Sequence, residues 1–417
     1  MDQCSESLGN RGFASEDRIS ELPEALLLQL LSSLPTKIVI ATSVLSKRWR
    51  SLWKLVPKLE FIYNESEGNI QKFSENVGRS LLSHKALFLE SFHLKVVGGQ
   101  CDDVYIGMWA GIAFARHVRE FVLDLERFYG KPVSFPSSLF CFDKVETLKL
   151  KSYILLDVPS PVSMKSLRTL HLESVVYKDD KSVRNLFSSC PNLEDLAPSL
   201  KTLSIRDPTS GRETGGYAIN APSLRYLEID CLRGYQFCLI QNASELVEAN
   251  IKNVSYVVND NILESLRSAK LLSLDLSPLE ITYPTGGIFH RLVYLEIYTH
   301  KAEWWNLLTL MLESSPKLQV LNLVDDVDKQ LMDGGKWEQP KYVSECLLSH
   351  LEIFVWTIYD CDREEEKEVA KYILRSARRL KTATFSTGPI GPKKRLVMLN
   401  ELKGVVKASN SCHLVFE

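Results

Sequence analysis

From residue 17 to residue 53 the chain reads DRISELPEALLLQLLSSLPTKIVIATSVLSKRWRSLW. Leu22, Leu26, Leu27, Leu30, Leu31 and Leu34 recur at intervals of three and four, which predicts one apolar helical face. Pro23 suits the first turn, where its missing N–H costs nothing. Pro35 ends that helix, and Thr36 is placed to cap a second one across Lys37 to Ser43. A third follows, with Leu45, Trp49, Leu52 and Trp53 on one face. Three helices this short cannot bury so much Leu and Trp among themselves. Each large side chain hidden is worth roughly 1.5–3 kcal/mol, so the segment needs a partner.

Beyond it a second pattern takes over, the unit apolar-x-x-apolar-x-apolar. It runs as Leu89…Phe92…Leu94, Val118…Phe121…Leu123, Val145…Leu148…Leu150 and Leu167…Leu170…Leu172. It continues as Leu200…Leu203…Ile205, Leu224…Leu227…Ile229, Leu246…Ala249…Ile251 and Leu271…Leu274…Leu276. Leu292…Leu295…Ile297, Leu318…Leu321…Leu323, Leu351…Phe354…Trp356 and Leu380…Ala383…Phe385 complete the series. The spacing brackets the leucine-rich-repeat period. The last three residues of each unit alternate as a strand, two pointing inward and the one between outward. Stacked units build a parallel sheet along one side of a solenoid, each covering its neighbour's apolar face. Between them, Phe73 to Leu82, Lys181 to Ser189 and Trp304 to Ser314 have helical spacing. One place breaks register: Cys190-Pro191-Asn192-Leu193-Glu194-Asp195-Leu196 opens like a repeat, yet Leu200 starts the next one at once. A strand and its return are missing there, through a real deletion or a gene-model error.

Near the end the pattern changes again. Leu347 to Trp356 predicts a strand and Arg363 to Leu380 a helix, with Val369, Ile373, Ala377 and Leu380 on one face. Its acids come first and its Arg last, as the helix dipole favours. Strand, helix and strand follow through Phe385, Leu396 to Leu402, and Phe416.

Composition narrows the class. The 417 residues allow a large core and several domains, and a net charge of −2 with interspersed signs points away from nucleic acid and from anionic membrane. Nine Cys without a CxxC pair argue against disulfide scaffolds and zinc sites, and for a reducing compartment. The N-terminus has no apolar core and no run approaches the ~20 apolar residues of a membrane helix, which places the chain inside the cell, in nucleus, cytoplasm or both.

The order LP…L…LPTK…ATSVLSKRWRSLW closely resembles the F-box of plant F-box proteins. That resemblance implies docking onto a Skp-type adaptor, and through it a cullin, by Leu22, Pro23, Leu26, Leu30, Leu34, Pro35, Val44, Leu45, Trp49 and Trp53. Ile38 departs from the pattern, standing where these proteins usually carry Asp or Glu. The C-terminal block CLLSHLEIFVW…REEEKEVAKYILRSARRLKTATF resembles the FBD domain of plant F-box/LRR proteins. The expected fold is therefore α/β: a three-helix F-box over 17–60 after a flexible tail over 1–16, a leucine-rich-repeat solenoid over 70–330 with its parallel sheet on the concave face, and an α/β FBD cap over 340–417.

Chemistry of its own is not evident. There is no phosphate-binding loop, no G-x-S-x-G and no H-E-x-x-H, and the eight His are dispersed. No metal, cofactor or catalytic residue is assigned. A target protein would meet the outward column of the sheet, and its acidic, amide-bearing second half (Glu228, Asn250, Asp275, Glu296 and Asn322) is the candidate reading surface. These features predict a substrate-recruiting subunit of an SCF-type ubiquitin ligase. A scaffold that does not direct ubiquitin transfer, or a small-molecule sensor on the solenoid, are the alternatives.

Overall fold

The computed structural model describes residues 19, 22–98, 103–126, 131–160, 162, 164–179, 181–182, 185–186, 200–206, 217–230, 238–241, 243–254, 262–276, 287–301, 303–325, 336–359, 363–387 and 392–416. The leucine-rich first segment forms helices α1 (Glu24–Leu31), α2 (Thr36–Ala41) and α3 (Lys47–Leu52), with a 3₁₀ turn at Thr42–Val44. Pro23 and Pro35 occupy the N-cap positions of α1 and α2. Thr36 is therefore not a cap, as the sequence predicts, but the first helical residue. Its hydroxyl is turned inward and accepts a hydrogen bond from the Glu60 N–H at 2.7 Å. Ser46 does cap α3, accepting from the Trp49 N–H at 3.4 Å. The acid missing at position 38 leaves α2 with no acidic residue in its first turn, and the helix forms without it.

After the helices the repeats build one parallel sheet of fourteen strands in chain order. They are β1 (Lys58–Asn64), β2 (Ser91–Val97), β3 (Glu120–Asp124), β4 (Thr147–Lys151), β5 (Thr169–Glu173), β6 (Thr202–Arg206) and β7 (Tyr226–Asp230). The series continues with β8 (Glu248–Val254), β9 (Leu271–Leu276), β10 (Tyr294–Tyr298), β11 (Val320–Val324), β12 (Ile353–Thr357), β13 (Thr382–Phe385) and β14 (His413–Phe416). The apolar units fall in register, save the one expected from Leu271: Phe92 beside Phe121, Leu148 beside Leu170, Leu227 beside Ala249, Leu321 beside Phe354. β1 belongs to the same pattern, since Val56, Leu59 and Phe61 are all buried.

The last three strands pair with the solenoid as the repeats pair with one another, Val320 beside Ile353 and Ile353 beside Thr382. The segment expected to be a strand from Leu347 starts instead as a short helix, Glu345–Ser349, with Cys346 and Leu347 buried, and the strand begins at Ile353. Helices Ile70–Ser83 (α4), Asp103–Ala115 (α5), Trp304–Ser314 and Glu364–Ser376 return the chain and cover the core. The register break at Cys190–Leu196 lies outside the described residues, but β5 pairs directly with β6, Leu170 beside Leu203, so the sheet runs on across it.

Two cores result. One is continuous through the solenoid; the other is small and confined to the helices, with Leu27, Leu31, Val39, Trp49, Leu52, Trp53 and Val56. Backbone bonds join them: the Lys85 and Ala86 N–H groups donate to the Lys54 carbonyl at 2.7 and 3.1 Å, and the Glu90 N–H to the Pro57 carbonyl at 2.8 Å. His84 is buried at the same junction, its Nε2 2.8 Å from the Val56 carbonyl.

Candidate docking surface and target face

Helix α1 is apolar on two faces. Leu27 and Leu31 point into the small core, whereas Leu26 and Leu30 are exposed, as is Leu34 beyond the helix end. Ile38 on α2 is exposed as well, and Val44 and Leu45 are 84 % and 65 % exposed. A helix apolar all round belongs inside a larger core, and six bare aliphatic side chains in twenty residues mark a surface that a partner covers. Covering each half-exposed residue is worth on the order of 1 kcal/mol.

The residues assigned to adaptor docking thus divide. Leu26, Leu30, Leu34, Val44 and Leu45 stand on the surface with Pro23 and Pro35, and Leu22 is half-buried against the core. Trp49 and Trp53 are turned inward, each 8 % exposed, and hold the three helices together. Their spacing shares a face with Leu45, but the tight turn at Ser46 separates Leu45 from the helix that carries them. Ile38 joins the exposed set. The sequence marked it only as a lost acid, although a β-branched residue at a position where an acid is expected is itself the signal.

On the sheet's outward face the strand register lines up three rows. The middle one runs Glu228, Asn250, Ser273, Glu296, Asn322 and Val355 across β7 to β12. Glu228, Asn250, Glu296 and Asn322 therefore do form one column. Asp275 does not: its place is taken by Ser273, and Asp275 pairs across to Lys252. The unit on β9 is Ala269…Leu272…Leu274, two residues earlier than the Leu271 start, with Ala269 and Leu272 buried and Leu271 outward. The Asp275 side chain is 2 % exposed, with His300 Nε2 at 3.1 Å and Lys301 Nζ at 3.6 Å from the same oxygen.

The acids of the column are already engaged. Glu296 accepts from Ser273 Oγ at 2.7 Å, from Tyr294 Oη at 3.0 Å and from Asn322 Nδ2 at 2.9 Å. Ser204 Oγ donates to Glu228 at 2.8 Å, and Asn250 Nδ2 donates to Tyr226 Oη at 3.1 Å. One row over, charge alternates strand by strand as Lys95, Asp124, Lys151, Glu173, Arg206, Asp230 and Lys252. Successive pairs close at 3.6 Å (Lys95–Asp124), 3.3 Å (Lys151–Glu173), 3.4 Å (Glu173–Arg206) and 3.3 Å (Arg206–Asp230). Burial raises the Glu173 carboxyl, but its bond to His171 and the charges of Lys151 and Arg206 outweigh that and hold it below the usual range. A face that neutralises its own charges offers shape, hydroxyls and amides rather than a field. Next to the column stand Tyr226, Glu248, Leu271, Tyr294, Val320 and Ile353, of which Leu271 and Ile353 are exposed apolar residues.

No group of three or more His, Cys, Asp or Glu among the described residues could hold a metal ion, and no helix among them is long and apolar enough to cross a membrane.

Known proteins match both the helices and the sheet. The F-box domain family matches residues 19–61, the Leucine Rich Repeat family residues 166–191, and the FBD family residues 339–385. Three F-box/FBD/LRR-repeat proteins of Arabidopsis thaliana are 62 %, 57 % and 55 % identical to the chain. The alignments cover 100 %, 99 % and 99 % of it, and 97 %, 96 % and 97 % of the relatives. The first alignment spans 449 positions against 417 residues here, so that relative carries stretches with no counterpart in this chain. With a three-helix segment that bares leucines on its surface, a repeat-built parallel sheet and relatives of this likeness along its whole length, the chain belongs to the plant F-box/FBD/LRR-repeat family.

Proposed function

We propose that the protein recruits a target to an SCF-type ubiquitin ligase, its F-box gripping a Skp-type adaptor that links to a cullin and its sheet face holding the target. The observation that carries this reading is the second apolar face of the F-box: Leu26, Leu30, Leu34, Val44 and Leu45 are bare while the F-box core beneath them is complete. The backbone bonds from Lys54 and Pro57 into the first repeat support a fixed geometry between the two ends of the task. Tethering of that kind acts by effective concentration, turning a bimolecular encounter with the conjugating enzyme into a nearly intramolecular one. The chain needs no reactive group for this.

On the target side, the paired acids argue for recognition by contact rather than by charge. The exposed Leu271 and Ile353, with the tyrosines beside them, are better placed to carry affinity than Glu228 or Glu296.

The test is co-purification of a recombinant Skp-type adaptor with the full chain and with Leu26→Ser/Leu30→Ser/Leu45→Ser. The triple variant is expected to melt as the wild type does and to lose the adaptor. Retention of the adaptor by a folded triple variant overturns the reading. Ubiquitin conjugates that accumulate on a co-purifying protein under proteasome inhibition, and vanish with the triple variant, separate a ligase subunit from a passive scaffold.

A further inference from the structure

β1 is the outermost strand of the sheet, and beside it a cleft of about 640 Å³ opens between α2 and α4. That volume lies within the roughly 300–1,000 Å³ of ligand sites. The Glu60 N–H donates to Thr36 Oγ1, so it points away from β2. Backbone groups alternate direction along a strand, so the N–H and C=O of Ile62 point the same way, into a cleft that Ile62 and Asn64 line. Thr36 covers only the Glu60 end of this edge. The walls are apolar at Ile40 and Phe73 and carry three cations, Lys37, Lys72 and Arg79, against one acid, Glu60. Lys37 and Lys72 are exposed and have no acidic partner among the described residues. Among the described residues Arg79 has one acidic contact, an exposed one with Glu75 at 3.6 Å, which is worth little.

We propose that this cleft binds an extended acidic peptide segment, added as a further strand on β1 with its carboxylates against Lys37, Lys72 and Arg79. A free edge supplies the main-chain hydrogen bonds of strand addition, and the flanking side chains supply the selectivity. The cations select acid over base, and the edge selects an extended backbone over a compact ligand. The site is separate from the adaptor surface: Lys37, Lys72 and Ile62 are none of the residues assigned to that contact. It therefore stands or falls on its own.

Fluorescence anisotropy on the full chain tests it, with labelled seven-residue peptides that alternate Glu with Val, Lys with Val, or Ser with Gly. The Glu/Val peptide is expected to bind, and to weaken as salt screens the cations. Lys37→Glu/Lys72→Glu is expected to weaken it at least about tenfold, a charge reversal that acts on the contact alone. Ile62→Pro removes the edge N–H without touching a bond to β2 and is expected to abolish binding while adaptor co-purification persists. Should Ile62→Pro lower the melting temperature, the lysine variant carries the decision. Equal binding of the three peptides, or undiminished Glu/Val binding by the lysine variant, overturns the proposal. Tighter binding of a single-stranded oligonucleotide or of phosphatidylserine vesicles that is insensitive to Ile62→Pro also overturns it, assigning the cations to a polyanion.

Discussion

Asp275 lies at the buried end of β9, with His300 and Lys301 on one carboxylate oxygen. Removing one member of a buried charged cluster leaves the others uncompensated, so Asp275→Ala is expected to cost about 3 kcal/mol, toward the lower end of such losses because Lys301 reaches water. Urea unfolding measures it, and an unchanged midpoint would return Asp275 to the surface. Cysteines divide in the same way. Cys346 is fully buried, and burial pushes its thiol up to about 12. Iodoacetamide near neutral pH, read by mass spectrometry, is expected to label the peptide holding the exposed Cys141 and to spare Cys346 until the chain unfolds. These placements show where residue-level reading stops. Leu271…Leu274…Leu276 fits the apolar-x-x-apolar-x-apolar unit, and Leu272…Leu274 fits it equally two residues earlier in the same alternation, so nothing within residues 271–276 chooses the register. Small Ala269 at the first apolar position carries the choice, because neighbouring strands leave it that slot. Trp49 and Trp53 were legible as apolar but not as inward, since the period of a helix gives a face and not what lies against it.

At the scale of elements, the two faces of α1 separate structure from contact. Leu27→Ala empties a site that is fully buried and is expected to destabilise the F-box by about 2–5 kcal/mol. Leu30→Ala is expected to stay within about 0.5 kcal/mol, its side chain being more than half exposed and outside the small core. Circular dichroism melts of the two variants distinguish them. The junction behind α3 has its own signature. Arg116 Nη1 lies 2.8 Å from His84 Nδ1 and can only donate, so Nδ1 keeps its lone pair and Nε2–H donates to the Val56 carbonyl. Burial lowers the His84 pKa from its ordinary 6.5 against the pull of that carbonyl bond, and the charge of Arg116 lowers it further. The unfolded chain therefore takes up a proton that the folded one refuses. Stability from this group is whole above pH 6.5 and is lost as pH falls from there toward the lower folded value. Since His84→Gln has no such proton, the stability gap between wild type and variant is expected to narrow as pH falls below 6.5. A constant gap would show that the imidazole does not titrate at this junction. The repeats themselves were almost wholly legible, because a period-two strand recurring a dozen times leaves one architecture. Of the return segments, Ile70–Ser83, Trp304–Ser314 and Glu364–Ser376 were legible by helical spacing, whereas α5 was not, since it is apolar almost all round and shows no single face.

Across the whole molecule, the C-terminal segment behaves as more sheet rather than as a separate unit. Its sequence reads as another kind of domain because helix Glu364–Ser376 is more charged than the earlier return helices. Yet Leu351, Phe354 and Trp356 repeat the buried triad of the solenoid, and Trp356 packs edge-on against Trp304 with ring centroids 5.7 Å apart. Trp304 begins the helix that covers the preceding repeats. In a stacked array each unit is stabilised by its neighbours, so damage in one spreads to the next before it reaches distant ones. Trp356→Ala empties a fully buried site and is expected to cost about 3–5 kcal/mol. Hydrogen exchange shows where that loss falls. If the FBD segment continues the sheet, exchange accelerates in β11 and in helix Trp304–Ser314 as well as in β12 and β13, while β2 to β4 keep their protection. Acceleration confined to residues 336–387 would mean that the segment folds by itself, and that the register between Val320 and Ile353 is a contact between domains rather than one continuous core.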